Sequence, residues 1–150
     1  IGLKQPPHSA NETRAAVLVF ERSLAWLRAQ YPDVPVSVVY LPSPLSTYEL
    51  AAGTVTSQGY LQGRPVAYPS EVVGHRSDDI AGMIETSAKA QRAAFLDARP
   101  ALYAVTKLDL AHGPRDWKHY NEKGYRALGN LVANHLRGAV SSAPRAGAVH

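Results

Sequence analysis

The chain of 150 residues contains no cysteine, and it has only one methionine and two phenylalanines. The lack of cysteine excludes disulfides, a thiol nucleophile and cysteine-ligated zinc. A cysteine-free chain is compatible with a reducing or an oxidising environment, so its composition does not tell whether the protein is located inside or outside the cytoplasm. No run of about 18 apolar residues occurs, so the sequence predicts a soluble protein without a membrane span.

Clusters of basic residues are also missing. The chain carries 16 Lys and Arg against 12 Asp and Glu, for a net charge of +4. These basic residues are scattered and no aromatic residues alternate with them, a pattern that does not favour nucleic acid as a partner. With 45% hydrophobic residues, the chain has enough apolar side chains for the core of one domain.

The first half of the chain predicts a helix followed by a buried strand. Apolar residues recur at helical spacing from about Asn11 to Gln30, and Pro32 then stops the helix. The next segment, Val34 to Leu41, is hydrophobic almost throughout, which is typical of a strand covered on both faces in a parallel sheet. The strand is followed by a loop at Pro42–Ser46. Open α/β sheets bind ligands at the carboxyl ends of their strands, so this loop is a candidate pocket wall.

The second half predicts further helices around one more strand. Residues 47–76 are expected to form a long excursion, with a helical turn near Tyr48–Ala52. The remaining expected elements are a helix from Ser77 or Asp78 to Ala94, a strand at Phe95–Asp97, a helical piece at Pro100–Val105 and a last helix from Asn121 to Leu136. Gly138 stands where a glycine that ends a helix belongs. The domain is therefore expected to cover residues 1–138, and 139–150 to be a disordered tail.

Residues 113–125 carry the chemistry of the chain. Their sequence is GPRDWKHYNEKGY, with Asp116 and His119 three residues apart in a loop before the last helix. At this spacing a carboxylate can hold an imidazole in one tautomer while the other ring nitrogen faces a reacting group. The alternative role for Asp116, helix capping, is not needed because Asn121 can cap the helix itself.

This Asp-x-x-His block, followed by Asn-x-x-Gly-Tyr and a terminal helix, resembles the last block of the SGNH/GDSL hydrolases. The resemblance implies a three-layer α/β/α parallel sheet of flavodoxin-like type, of which this chain would form the C-terminal half. It also implies a serine-type carboxylic ester hydrolase that needs no cofactor and acts on a small-molecule, carbohydrate or lipid ester. In that family His119 would be the general base and acid, and Asp116 would orient it.

The nucleophile expected for such an enzyme is not recognisable in the chain. No Gly-Asp-Ser, Gly-x-Ser-x-Gly or Gly-x-Asn sequence occurs. The chain also begins with Ile1 rather than Met, and we interpret it as the back half of a longer unit. We therefore expect the serine upstream or on a second chain that carries the N-terminal half of the domain. The 150 residues alone should be inactive.

Several alternatives remain open from sequence. Ser43, at the end of the first strand, is the nearest substitute for a nucleophile, but a turn or pocket-wall role suits it better. Ser43, Pro44 and His112 are therefore candidate substrate-binding residues. His112 with Asp116 and His119 could be read as a zinc site, but no His-x-x-x-His spacing supports that reading and we predict no metal. The chain could also be a non-catalytic α/β interaction module.

Overall fold

The computed structural model describes residues 10–50, 53–57, 66–114 and 118–142. In this part of the chain the protein is mixed α/β, which confirms the predicted class at this level. The helices are α1 (Ala10–Gln30), α2 (Ser70–Ala90), α3 (Arg99–Thr106) and α4 (Glu122–Ser142), and Pro44–Thr47 forms a short 3-10 helix. The strands are β1 (Ser37–Tyr40), β2 (Thr54–Ser57), β3 (Val66–Pro69) and β4 (Ala94–Asp97).

Strands β1 and β4 form a parallel pair, with Ser37 opposite Ala94 and Tyr40 opposite Asp97. Helix α2 lies between them in sequence, as a parallel crossover requires. The pair confirms the predicted parallel arrangement, although β1 is shorter than the predicted strand. Val34 does not join the strand because its backbone NH closes a turn onto Tyr31 at 3.3 Å.

The main core lies between α1, α2 and one face of the parallel pair. Leu24, Ala88 and Ala93 are buried there. The half-buried side chains that pack around them are Phe20, Leu27, Val36, Val38 and Phe95. Because side chains alternate along a strand, Ser37 points away from this core. Its hydroxyl lies 2.9 Å from Nε2 of His135, which brings α4 to β1.

The segment predicted as an irregular excursion contains a hairpin. Strands β2 and β3 pair antiparallel, with Thr54 opposite Pro69, and α2 starts immediately afterwards at Ser70. The predicted start at Ser77 or Asp78 is therefore wrong. Ser77 resembles a capping residue in sequence, but it lies inside the helix, where its side chain meets the hydroxyl of Tyr40 at 3.1 Å.

Two other predicted helix limits near the sheet are also wrong. Helix α2 ends at Ala90 rather than Ala94, because Arg92 adopts a left-handed φ of 54° that turns the chain into β4. A helical turn at Tyr48–Ala52 was expected, but the 3-10 helix lies earlier, at Pro44–Thr47. Tyr48 is already extended, and residues 51 and 52 are outside the described part.

Helix α4 extends past the glycine that was predicted to end it. Gly138 lies inside the helix, which continues to Ser142. A glycine in a helix interior costs only about 1 kcal/mol relative to alanine, so it does not force a stop. The first residues of the predicted tail are thus helical, and residues 143–150 lie outside the described part. None of the described helices has the length and apolar character that crossing a bilayer requires.

Candidate active site

The loop after β1 and the loop before α4 are joined by a hydrogen bond. The hydroxyl of Tyr120 donates to the carbonyl oxygen of Pro42 at 3.1 Å. Burial raises the pKa of the Tyr120 hydroxyl, so it stays a protonated donor. Tyr120 directly follows His119, and Pro42 directly precedes Ser43. The segment with the predicted base is therefore fixed at the carboxyl end of a parallel strand.

The loop before α4 is closed at its base by backbone pairing. His112 and Tyr120 form an antiparallel bridge, and the backbone NH of Asn121 donates to Ala111 at 2.8 Å. The side-chain amide of Asn121 adds a bond to the carbonyl of Leu110 at 2.8 Å. These contacts hold the two ends of the segment that contains His119.

Asn121 also caps α4. Its side-chain oxygen accepts hydrogen bonds from the backbone NH groups of Lys123 at 3.0 Å and Gly124 at 3.1 Å. The prediction that Asn121 caps this helix is therefore confirmed. Such a cap is worth about 1 kcal/mol. The cap does not require Asp116.

Gly124 allows the first turn of α4 to approach the loop closely. A Cβ atom at this position would lie 2.5 Å from the carbonyl oxygen of Ala111 and 2.9 Å from Cβ of Tyr120. Both distances are far below van der Waals contact, so no larger residue fits without displacing the backbone. The spacing Asn-x-x-Gly thus has a structural reason: the asparagine caps the helix and the glycine leaves room for the loop.

His112 is a buried support for this loop, with only 1% of its surface exposed. Its ring lies between Tyr120, at a centroid distance of 4.4 Å, and Tyr48, at 5.6 Å. The hydroxyl oxygen of Tyr48 accepts from the backbone NH groups of Ala111 at 3.1 Å and His112 at 3.0 Å. It lies 3.0 Å from Nδ1 of His112.

These contacts fix the tautomer of His112. Both acceptor positions of the Tyr48 oxygen are used, so its single proton is donated to Nδ1 of His112. The neutral ring then carries its proton on Nε2. Burial lowers the pKa of His112, in agreement with a neutral ring. This geometry favours a supporting role over the predicted direct contact with substrate, which stays a prediction.

The predicted catalytic pair is described only in part. His119 lies exposed in the turn immediately before Tyr120. Asp116 falls in residues 115–117, which are outside the described part, so its contact with His119 stays a prediction. An exposed position is compatible with a base that must reach a substrate. In the described part of the chain, no group of three or more His, Asp or Glu side chains could hold a metal ion.

Ser43 and Pro44 begin the 3-10 helix after β1. The Ser43 side chain caps this helix by accepting from the backbone NH of Ser46 at 3.4 Å, and its hydroxyl lies 2.6 Å from that of Ser46. Pro44 occupies the first turn and is half-buried. Ser43 therefore has the turn role that the sequence favoured, and it remains exposed beside a groove.

That groove lies between the end of β1, the 3-10 helix, β3 and the start of α2, and its volume is about 410 Å³. We call it the β1 groove. Its lining residues are Tyr40, Leu41, Ser43, Leu45, Ser46, Tyr68, Val72, Val73, Arg76, Ser77 and Ile80. Of the predicted substrate-binding residues, it includes Ser43 but neither Pro44 nor His112.

An ion-pair network at the same edge of the sheet was missed from sequence. Arg99 donates through Nε to Asp97 at 2.9 Å, forms an ion pair with Asp78, and lies 5.4 Å from the ring centre of Tyr40. Burial alone would raise the pKa of Asp97, but the hydrogen bonds from Arg99 outweigh it and lower that pKa. The signal available in the sequence was an acidic residue two positions before an arginine at a strand end.

Comparison of the chain with protein-family models, with curated protein sequences and with solved structures finds no match. Membership of the SGNH/GDSL family therefore stays a prediction, for which the block from Asp116 to Tyr125 is the specific sequence signal.

Proposed function

We propose that the chain is the C-terminal part of a serine ester hydrolase domain of SGNH type, in which Asp116 and His119 are two members of the triad. The observation that carries this proposal is the hydrogen bond from Tyr120 to Pro42, 3.1 Å long. It fixes the His119 segment at the carboxyl end of β1, the edge where open α/β sheets bind ligands.

In the proposed reaction His119 acts twice. It first takes the proton from a serine hydroxyl as the serine oxygen attacks the ester carbonyl, and it then gives that proton to the leaving alcohol. Water hydrolyses the resulting acyl-enzyme by the same route, again with His119 as base. Asp116 holds the imidazole through its other nitrogen and stabilises the imidazolium.

The serine is proposed to come from an N-terminal half of the domain, upstream or on a second chain. Within the described residues β1 and β4 pair only with each other, so each has a free edge that further strands could extend. Helices α1 and α2 cover one face of this pair, and α4 reaches Ser37 on the other. This arrangement supports the proposal of a three-layer sandwich that an N-terminal half would complete.

A non-catalytic interaction module is the second candidate. One observation favours it: Asn121 and Gly124 have structural tasks in capping and packing α4, so half of the motif has a reason to exist without catalysis. The absence of a recognisable nucleophile agrees with it as well. Asp116 lies outside the described part of the chain, so the catalytic roles of Asp116 and His119 are what the labelling experiment must test.

A fluorophosphonate probe separates the two candidates. The intact gene product should be labelled on a serine, and labelling should fall strongly in the His119→Ala variant because the serine loses its base. A folded intact protein that takes no label would contradict the hydrolase proposal and favour the interaction module.

A further inference from the structure

We propose that the β1 groove binds the aliphatic chain of the ester, so that the preferred substrates carry a chain of several carbons on the acyl or the alcohol side. This inference rests on the hydrolase proposed above and names its substrate class. It starts from the groove's volume of about 410 Å³, which lies within the roughly 300–1,000 Å³ typical of small-molecule sites.

The walls of the β1 groove are mainly apolar. Its lining includes the aliphatic side chains Leu41, Leu45, Val72, Val73 and Ile80 and the rings of Tyr40 and Tyr68. Val72 is 43% exposed and Leu41 is 50% exposed. Apolar side chains gathered around a concave surface lose contact with water when an apolar group enters, which is the main source of affinity for such a ligand.

Four hydroxyl groups of the wall already have partners within the protein. The hydroxyl of Tyr40 lies 3.1 Å from that of Ser77, and the hydroxyl of Ser46 lies 2.6 Å from that of Ser43. Arg76 also has an interaction of its own. The four hydroxyl groups therefore do not require hydrogen bonds from a ligand, and an alkyl chain can lie against them without leaving them unpaired.

The groove also lies next to the proposed chemistry. Ser43 lines the groove, and the preceding residue, Pro42, accepts the hydrogen bond from Tyr120. His119 is adjacent to Tyr120 in the chain. In this proposal an ester whose chain occupies the groove extends its polar end past Ser43 and Pro42 toward the His119 segment.

The expected selectivity follows from the apolar wall. Burying one methylene contributes about 0.8 kcal/mol, which corresponds to about a fourfold gain in affinity or kcat/KM. A short series of acyl chains should therefore show a steady rise until the groove is full. An acetyl-specific site would show no such rise.

The test combines binding and turnover in the intact protein. Calorimetric titration with acetate, butanoate, hexanoate and octanoate should show affinity rising about fourfold per methylene. Val72→Asp places a charge on the groove wall and should abolish the rise, whereas Val72→Ile should retain it. Val19→Asp is the matched control, because Val19 is 66% exposed on α1 and does not line the groove.

Turnover shows whether the groove binds the acyl or the alcohol part of the ester. If p-nitrophenyl octanoate is hydrolysed faster than p-nitrophenyl acetate, the aliphatic chain is on the acyl side. If octyl acetate is hydrolysed faster than ethyl acetate, it is on the alcohol side. Equal affinity for acetate and octanoate would overturn the inference. So would an equal loss of octanoate affinity in Val72→Asp and Val19→Asp. If the probe labels a serine but binding does not depend on chain length, the proposed role of the groove is refuted and the hydrolase proposal stands. If octanoate binds but no serine is labelled, the hydrolase proposal is refuted and the apolar binding site stands.

Discussion

The hydroxyl of Tyr120 lies 3.1 Å from the carbonyl oxygen of Pro42, which joins two loops that are 78 residues apart in sequence. The same tyrosine ring packs on the buried ring of His112. One side chain thus connects the segment that contains His119 to the end of β1.

Replacing Tyr120 with phenylalanine removes the hydrogen bond and keeps the ring. We expect the free energy of unfolding to fall by about 1 kcal/mol, the usual net value of such a bond. If the intact protein hydrolyses esters as proposed, its kcat/KM should fall by about tenfold, because the proposed base would lose its alignment. Urea unfolding and ester hydrolysis measure the two effects.

Tyr125→Phe is the control for this change. Tyr125 is 56% exposed, and its hydroxyl makes no hydrogen bond within the described part of the chain. Its removal should leave both quantities unchanged. Equal effects of the two substitutions would show that the bond to Pro42 does not position the loop.

Gly124→Ala tests the close contact between α4 and the loop. The added methyl group would lie 2.5 Å from the carbonyl oxygen of Ala111, so we expect a destabilisation of about 1–3 kcal/mol. At Gly129, on the same helix, a methyl group would meet no atom within 4 Å, and Gly129→Ala should stabilise by about 0.5–1 kcal/mol. Chemical denaturation that shows the same sign for both variants would contradict the contact.

His112 should make the fold sensitive to acid. Its pKa is lowered in the folded protein, so below its ordinary value of about 6.5 the unfolded chain binds a proton that the folded chain refuses. Stability is therefore retained above that pH and lost as the pH falls from about 6.5 toward the folded pKa, by at most about 1.4 kcal/mol per pH unit.

The matched variant is His112→Asn, which does not titrate and whose side-chain oxygen can take the position of Nδ1 and accept from Tyr48. Urea unfolding between about pH 7.5 and 5 should show a smaller loss of stability in this variant than in the wild type. Parallel curves for the two proteins would show that His112 is not held neutral.

Local patterns in the sequence predicted α1, β4 and the cap at Asn121, because helical spacing, β-branched runs and capping residues act over a few neighbouring positions. The hairpin β2–β3 and the start of α2 were missed because strand pairing depends on contacts that no local pattern contains. Ser77 is an example, because its side chain contacts the hydroxyl of Tyr40 and does not cap a helix.

For the candidate site, too, only the local part could be predicted from the sequence. The motif predicts His119 and Asp116 as the catalytic pair, and of the two only His119 lies in the described part, just before α4. The support by Tyr48 could not be predicted, since its hydroxyl meets His112 across 64 residues of sequence. The network of Arg99 with Asp78 likewise spans 21 residues, and only folding brings the two side chains together.

The 150 residues alone are predicted to be inactive or to require a second polypeptide. Since the parts of a triad act as a unit, a chain without the serine loses nearly all of the chemical step. We expect negligible turnover of p-nitrophenyl acetate. We also expect association or instability in sedimentation, because no described strand pairs with the second edge of β1. A stable, monomeric and efficient esterase would place the nucleophile within this chain, with Ser43 the first residue to mutate.

The most direct test of the account is the hydrolysis rate of the intact protein without the proposed base. His119→Ala should lower kcat/KM by at least about a hundredfold while the circular dichroism spectrum is retained. Asp116→Asn should also cause a large loss through the wrong tautomer, and His75→Ala, on α2, should leave the rate unchanged. A wild-type kcat/KM in His119→Ala would contradict the catalytic assignment of this histidine.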